Sequence, residues 1–224
     1  MEKNVIIFGA TGNAGGQLLD QSLLDNRISK VTIISRKESG IEHEKLHEII
    51  HRDFLDFSAV EDTFKEPDVC FYCVGVSQLQ VNKEDEYKKI THDYTIAVAE
   101  ILLKNNKEVT FCFLSGEGAD PSMKNKTLFA RVKGMTENSL KNLPFTKLYI
   151  FRPGYIHPVN LRRKKNLMER ISTVLYPLMK IIAPNIVTTS EILAKTMIHV
   201  SLNGYEKQLI VNKDINNINM NENL

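Results

Sequence analysis

The chain has no tryptophan and only three cysteines among 224 residues. So small and odd a thiol count argues against a disulfide framework. Charge of one sign is also missing. The 29 Lys and Arg stand against 27 Asp and Glu, a net +2, which gives no strong field for nucleic acid. No apolar run is long enough to span a bilayer, and the greasiest segment, Val174 to Ala183, is interrupted by Pro177 and Lys180. These absences predict no nucleic-acid partner and no integral membrane segment. The first strand-like run starts by Asn4, leaving no room for a signal peptide. With free thiols, the expected location is cytoplasmic.

What is present begins with the first sixteen residues. Val5-Ile6-Ile7-Phe8 runs into Gly9-Ala10-Thr11-Gly12-Asn13-Ala14-Gly15-Gly16, and an amphipathic segment follows. An apolar strand ending in glycines and opening a helix is the layout of a dinucleotide-binding turn. The first glycine turns the chain, the second lets backbone approach the pyrophosphate, and the third lets helix sit close to strand. The helix start then offers N–H groups and a positive dipole end to phosphate. Thr11, Asn13 and Ala14 belong to the same cradle.

Strand-like runs at 4–8, 31–35, 46–50, 69–74, 109–114, 147–151 and 208–211 alternate with helix-like segments at 14–25, 58–65, 84–105, 127–142, 166–182 and 190–202. The strands are continuous apolar runs, which suits parallel strands covered on both faces. The expected fold class is α/β: a doubly wound, mostly parallel Rossmann-type sheet with helices on both faces, ordered 3-2-1-4-5-6 plus an edge strand. We expect one domain over residues 1–212, with 156–187 as a substrate-side cap and 213–224 as a flexible tail. Ser190 is the expected N-cap of the helix at 190–202, with Gly204 beyond its end. Cys70 and Cys73 form a C-x-x-C inside a strand-like run. Positions three apart there point to opposite faces, so the pair reads as core rather than as a redox or metal site, and Cys112 likewise. No metal site is expected.

In such a sheet the ligand crevice lies at the carboxyl ends of the strands. The second strand ends in Ser35-Arg36-Lys37, with no acid to hold a ribose 2′-hydroxyl. A guanidinium there meets a 2′-phosphate with paired hydrogen bonds, so NADP(H) is favoured over NAD(H). Asp53 and Phe54, after the third strand, are candidates for the adenine, and Val74 and Gly75 line the way beyond.

Gly9-x-x-Gly12-x-x-Gly15, His92-Asp93-Tyr94, Leu114-Ser115-Gly116-x-Gly118-Ala119-Asp120, Arg131-Val132-Lys133-Gly134 and Phe151-Arg152-Pro153-Gly154 occur in this order. Together they resemble the atypical short-chain dehydrogenase/reductases, and within them the small NAD(P)H-binding proteins similar to the Tat-interacting oxidoreductase. The resemblance covers residues 3–202. It implies nucleotide bound at the glycine turn, and proton transfer by a Tyr-x-x-x-Lys pair on one helix face. The lysine lowers the tyrosine pKa and holds the nicotinamide ribose, and a preceding serine orients the substrate oxygen. Lys133 matches the lysine, Ser115 matches the first of two serines, and Pro153 matches the cofactor-side turn. The tyrosine position holds Phe129, which cannot transfer a proton. Tyr155 and then His157 are the substitutes within reach of the correct sheet edge.

Two functions follow from this reading. One is an NADP-dependent oxidoreductase acting on a small carbonyl or alcohol with a non-standard proton donor. The other is a catalytically silent NADPH sensor acting through a regulatory protein partner. A homodimer is compatible with either. The basic run Arg162-Arg163-Lys164-Lys165, followed by apolar residues at helical spacing, reads first as a cap over the substrate. Its second reading is a helix lying at an anionic membrane or in a partner groove. Pro177 is expected to kink or split that helix.

Overall fold

The computed structural model describes residues 2–76, 81, 83–161, 167–222 and 224. The basic run Arg162–Lys165 lies outside the described residues.

Nine strands and seven α-helices are seen among the described residues. Strand β1 (Lys3–Phe8) leads through the glycine turn into α1 (Asn13–Leu24), then β2 (Ile28–Ser35), β3 (Leu46–Ile50) and β4 (Val69–Tyr72). There follow α2 (Glu84–Lys88), a π-helical turn at Lys89–Asp93, α3 (Tyr94–Asn105), β5 (Thr110–Leu114), α4 (Leu128–Lys141) and β6 (Lys147–Arg152). The last third holds β7 (Tyr155–His157), α5 (Leu167–Ile182), β8 (Val187–Thr189), α6 (Ser190–Asn203), β9 (Leu209–Val211) and α7 (Asn212–Asn221). The main sheet has seven strands in the order β3-β2-β1-β4-β5-β6-β9, every pairing parallel. This is the expected doubly wound sheet.

The continuous apolar strands explain both layers. Alternate residues of β1 feed opposite cores: Val5 and Ile7 join Leu18, Leu19, Leu193 and Met197 on the α1/α6 side. Ile6 and Phe8 join Phe54, Phe57, Phe64, Val98 and Leu102 on the α3 side. Cys70 packs in the second layer and Cys73 against the first, as strand alternation requires. All three cysteines are free, and burial pushes the Cys70 and Cys112 thiols well up. Among the described residues no cluster of metal-ligating side chains occurs.

Several boundaries differ from expectation. The segment at 58–65 is a 3₁₀ helix, Ser58–Phe64, and 84–105 is three pieces joined through the π-helical turn. The cap of α6 is Thr189, whose Oγ1 accepts from the Ile192 N–H at 3.0 Å. Ser190 instead is buried and accepts from the Val159 N–H. Gly204 does end that helix, at φ +83°. Helix α5 runs through Pro177 as one element; the ring sits at an exposed position, where water can serve a lost backbone bond. The expected flexible tail is helix α7, anchored by buried Ile215 and Ile218. Apolar residues at 215 and 218, three apart, give an asparagine-rich segment one packed face. The short parallel pair β7–β8 was also not expected.

Candidate functional site

The glycine turn is built by contact. Gly9 has φ +85°, and a Cβ there would lie 2.7 Å from the Cys73 carbonyl carbon and oxygen. A Cβ on Gly15 would lie 2.2 Å from the Gly9 oxygen. These two positions bring β4 and α1 against the turn, closer than any side chain permits. Gly12 is the N-cap of α1, which has no side-chain cap and no acid in its first turn. The helix start is thus left without an internal anion. Beside it the Asn13 Oδ1 atom is buried with no hydrogen-bond partner among the described residues. An uncapped helix start, a glycine cradle and an unsatisfied acceptor fit a phosphate-bearing nucleotide with donor groups nearby.

Two cavities open from this turn. The larger, about 870 Å³, runs over Thr11, Gly12 and Asn13 to Arg36, Lys37 and Arg52. The smaller, about 140 Å³, is bounded by Gly9, Ser35, Arg36, Phe54, Val74, Gly75 and Tyr94, among others. The β1–α1 turn, the end of β2, and the loops after β3 and β4 therefore converge at one place, as the strand order dictates. Ser35 is buried and its hydroxyl donates to the Lys37 carbonyl, shaping the turn that presents Arg36. Ala14 and Gly15 lie behind the turn. Asp53 lines neither cavity: it is exposed and its Oδ1 accepts from the Leu55 N–H. Arg52 and Tyr94 are wall residues that sequence reasoning did not single out, although Arg52 stands beside Asp53 and Tyr94 belongs to the His92-Asp93-Tyr94 motif.

The other end of the crevice is made by β5 and α4. Lys133 is 6% exposed. Its Nζ donates to the Leu114 carbonyl at 2.8 Å and stands 4.7 Å from the centroid of the Phe113 ring. Burial pulls its ammonium down to about 8, against the opposing pull of Cys73 and Glu137. Ser115 donates from Oγ to Glu137 Oε1 at 2.6 Å. Glu137 is fully buried and is forked by Arg152, whose Nε donates to the same oxygen at 2.8 Å while a terminal nitrogen meets Oε2. A Cβ on Gly116 would lie 2.7 Å from Phe129 Cζ, so the phenyl ring rests on the glycine. Pro153 is buried and accepts at its carbonyl from the Glu117 N–H.

Tyr155 opens β7. Its hydroxyl is buried without a hydrogen-bond partner among the described residues. His157 stacks on Tyr176 of α5, centroids 3.9 Å apart. The sequence candidates thus fall into two groups. The cofactor group largely meets at the two cavities, while Lys133, Ser115 and Tyr155 line neither.

Residues 5–133 match the NAD dependent epimerase/dehydratase family. The chain belongs to this family. Membership carries nicotinamide-nucleotide binding and agrees with the short-chain dehydrogenase/reductase motifs. Protein HTATIP2 of Rattus norvegicus is 34% identical over 157 residues, covering 69% of this chain and 63% of that protein. Protein FMP52, mitochondrial, of Saccharomyces cerevisiae is 28% identical over 152 residues, covering 67% and 64%. The matched stretch spans just under two thirds of these relatives' length. The fold is shared with a UDP-N-acetylglucosamine 4-epimerase of Methanobrevibacter ruminantium, at TM-score 0.68, 21% identity, and coverage of 94% of this chain and 76% of that one. A short chain dehydrogenase family protein of Francisella tularensis gives TM-score 0.69 at 15% identity, covering 96% and 99%.

The cytoplasmic expectation is overturned by these relatives, several of which are named mitochondrial. Buried free thiols do not say which compartment a chain occupies. Among the described residues, no helix is long and apolar enough to cross a membrane.

Proposed function

We propose that this family member binds NADP(H) and acts as a nucleotide sensor toward a protein partner, its proton relay having been lost. One observation carries the second half: the Phe129 ring resting on Gly116. The resemblance puts a tyrosine and a second serine at these two positions. Both hydroxyls are gone, and the remaining shapes fill one another. Ser115, the serine that is kept, is committed to Glu137.

NADP(H) over NAD(H) is supported by the cations at the end of β2. Arg36 lines both cavities, and Lys37 and Arg52 line the larger. A 2′-phosphate would be held by Arg36 with support from these two. The α1 amides would take the pyrophosphate, Phe54 and Tyr94 would flank the adenine, and the Lys133 ammonium would serve the nicotinamide ribose. The bound nucleotide supplies hydride chemistry; these residues supply binding and orientation.

A second reading keeps turnover, with Tyr155 as proton donor to a small carbonyl. It is favoured by the unpartnered Tyr155 hydroxyl. Calorimetry with NADPH and NADH, followed by a carbonyl screen for nucleotide oxidation, separates the two. The sensor reading expects tighter NADPH binding and no carbonyl-dependent oxidation. Turnover that disappears in Tyr155→Phe would replace it with the oxidoreductase reading, and absence of any nucleotide binding would end both.

A further inference from the structure

Helix α5 carries an apolar stripe that the protein itself leaves uncovered. Val174, Leu175, Leu178, Ile181 and Ile182 are 78%, 48%, 55%, 80% and 72% exposed. Their spacing (i, i+1, i+4, i+7, i+8) places them on one side of the helix. Tyr176, stacked on His157, lies on the opposite side and fastens α5 to β7. Five neighbouring large aliphatics in water are an unusual surface for an isolated soluble domain.

In the sequence, positive charge gathers just before this helix and on it: Arg162, Arg163, Lys164 and Lys165 precede α5, and Arg170 and Lys180 lie within it. Residues 161–182 hold six Lys or Arg against Glu169 alone, a net +5, whereas the whole chain is +2. The remainder of the molecule is therefore net −3. Arg170, at the edge of the stripe, and Lys180 are both exposed. A strong apolar stripe with concentrated positive charge, too short to cross a bilayer, is the composition of a helix that lies in the interface of an anionic membrane. Each juxtamembrane cation adds attraction to acidic headgroups, and each inserted aliphatic adds transfer free energy. A water-facing cap would need neither feature.

We infer that α5 docks this protein peripherally on an anionic lipid surface, with Val174, Leu178 and Ile181 inserted among the acyl chains. The inference is independent of nucleotide binding.

The test is flotation of the full chain with vesicles of phosphatidylcholine alone or with 30% phosphatidylserine, a composition chosen as an anionic probe. Binding is expected only with the anionic vesicles and is expected to fall steeply between low salt and about 0.5 M salt. Leu178→Glu/Ile181→Glu should lower partitioning about tenfold or more. Because both positions are exposed, the variant's thermal unfolding should match the parent's. Arg170→Gln/Lys180→Gln should lower partitioning less, and mainly at low salt. No flotation at low salt overturns the inference. So does flotation that the Leu178/Ile181 variant leaves unchanged. Absence of flotation together with a concentration-dependent dimer that this variant dissolves would assign the stripe to self-association instead.

Discussion

At the β1–α1 end of the crevice, the larger cavity is walled by glycines, an uncapped helix start and the cations Arg36, Lys37 and Arg52. At the β5–α4 end, outside both cavities, stand a phenyl ring on a glycine, an ammonium tied to a carbonyl and a serine tied to a buried carboxylate. The first end needs only backbone shape and charge, which a chain keeps as long as the turn folds. The second needs one hydroxyl at one place, and a single substitution removes it. Binding and proton transfer can therefore part company within one fold.

Four measurements break or sharpen this contrast. The largest effect is expected at Glu137. Glu137→Ala strands the Arg152 guanidinium and the Ser115 hydroxyl, and should cost about 3–5 kcal/mol in urea unfolding; a loss below 1 kcal/mol would show that the buried cluster is not structural. Next, Phe129→Tyr returns a hydroxyl to the relay position. It should create carbonyl-dependent NADPH oxidation about 10²-fold above the parent's uncatalysed background, and a flat result would mean that proton transfer is not what the second end lacks. Third, Arg36→Asp should weaken NADPH binding about 10–100-fold with little change for NADH; equal losses would remove Arg36 from the 2′-phosphate.

The smallest effect concerns Lys133. Burial holds its ammonium at about 8, below the ordinary 10.5. Between those values the unfolded chain keeps a proton that the folded one has released, so this lysine's contribution makes stability rise with pH from about 8 to 10. The burial penalty is fully present below pH 8. Lys133→Met should remove that rise and stabilise the nucleotide-free protein at pH 7 by about 1–3 kcal/mol, while weakening NADPH. Urea curves at pH 7 and pH 9.5 measure it.

Most of the sheet was legible because buried parallel strands write themselves as continuous apolar runs: β1, β2, β4, β5 and β6 stand near their expected places. The glycine turn was legible because only glycine tolerates a Cβ position 2.2 Å from another oxygen. The rest depended on tertiary contact. Thr189 rather than Ser190 caps α6 because Ser190 is drawn inward to Val159. The tail folds as α7 because the core of α6 offers Ile215 and Ile218 a surface, which asparagine content hides. Arg52 escaped notice because its neighbours Asp53 and Phe54 looked more specific, and only the cavity wall distinguishes the three. The Glu137–Arg152 pair spans two elements and has no local signature.

Asn212 gives this architecture an order in time. Its side-chain oxygen accepts from the Gly154 N–H and its nitrogen donates to the Val187 carbonyl. Those two backbone groups frame the strand pair β7–β8. During synthesis the central strands can pair as soon as they leave the ribosome, but the turn after β6 waits for a partner 58 residues further along the chain. A nascent chain can therefore hold a finished glycine cradle while its opposite rim is still unbuilt.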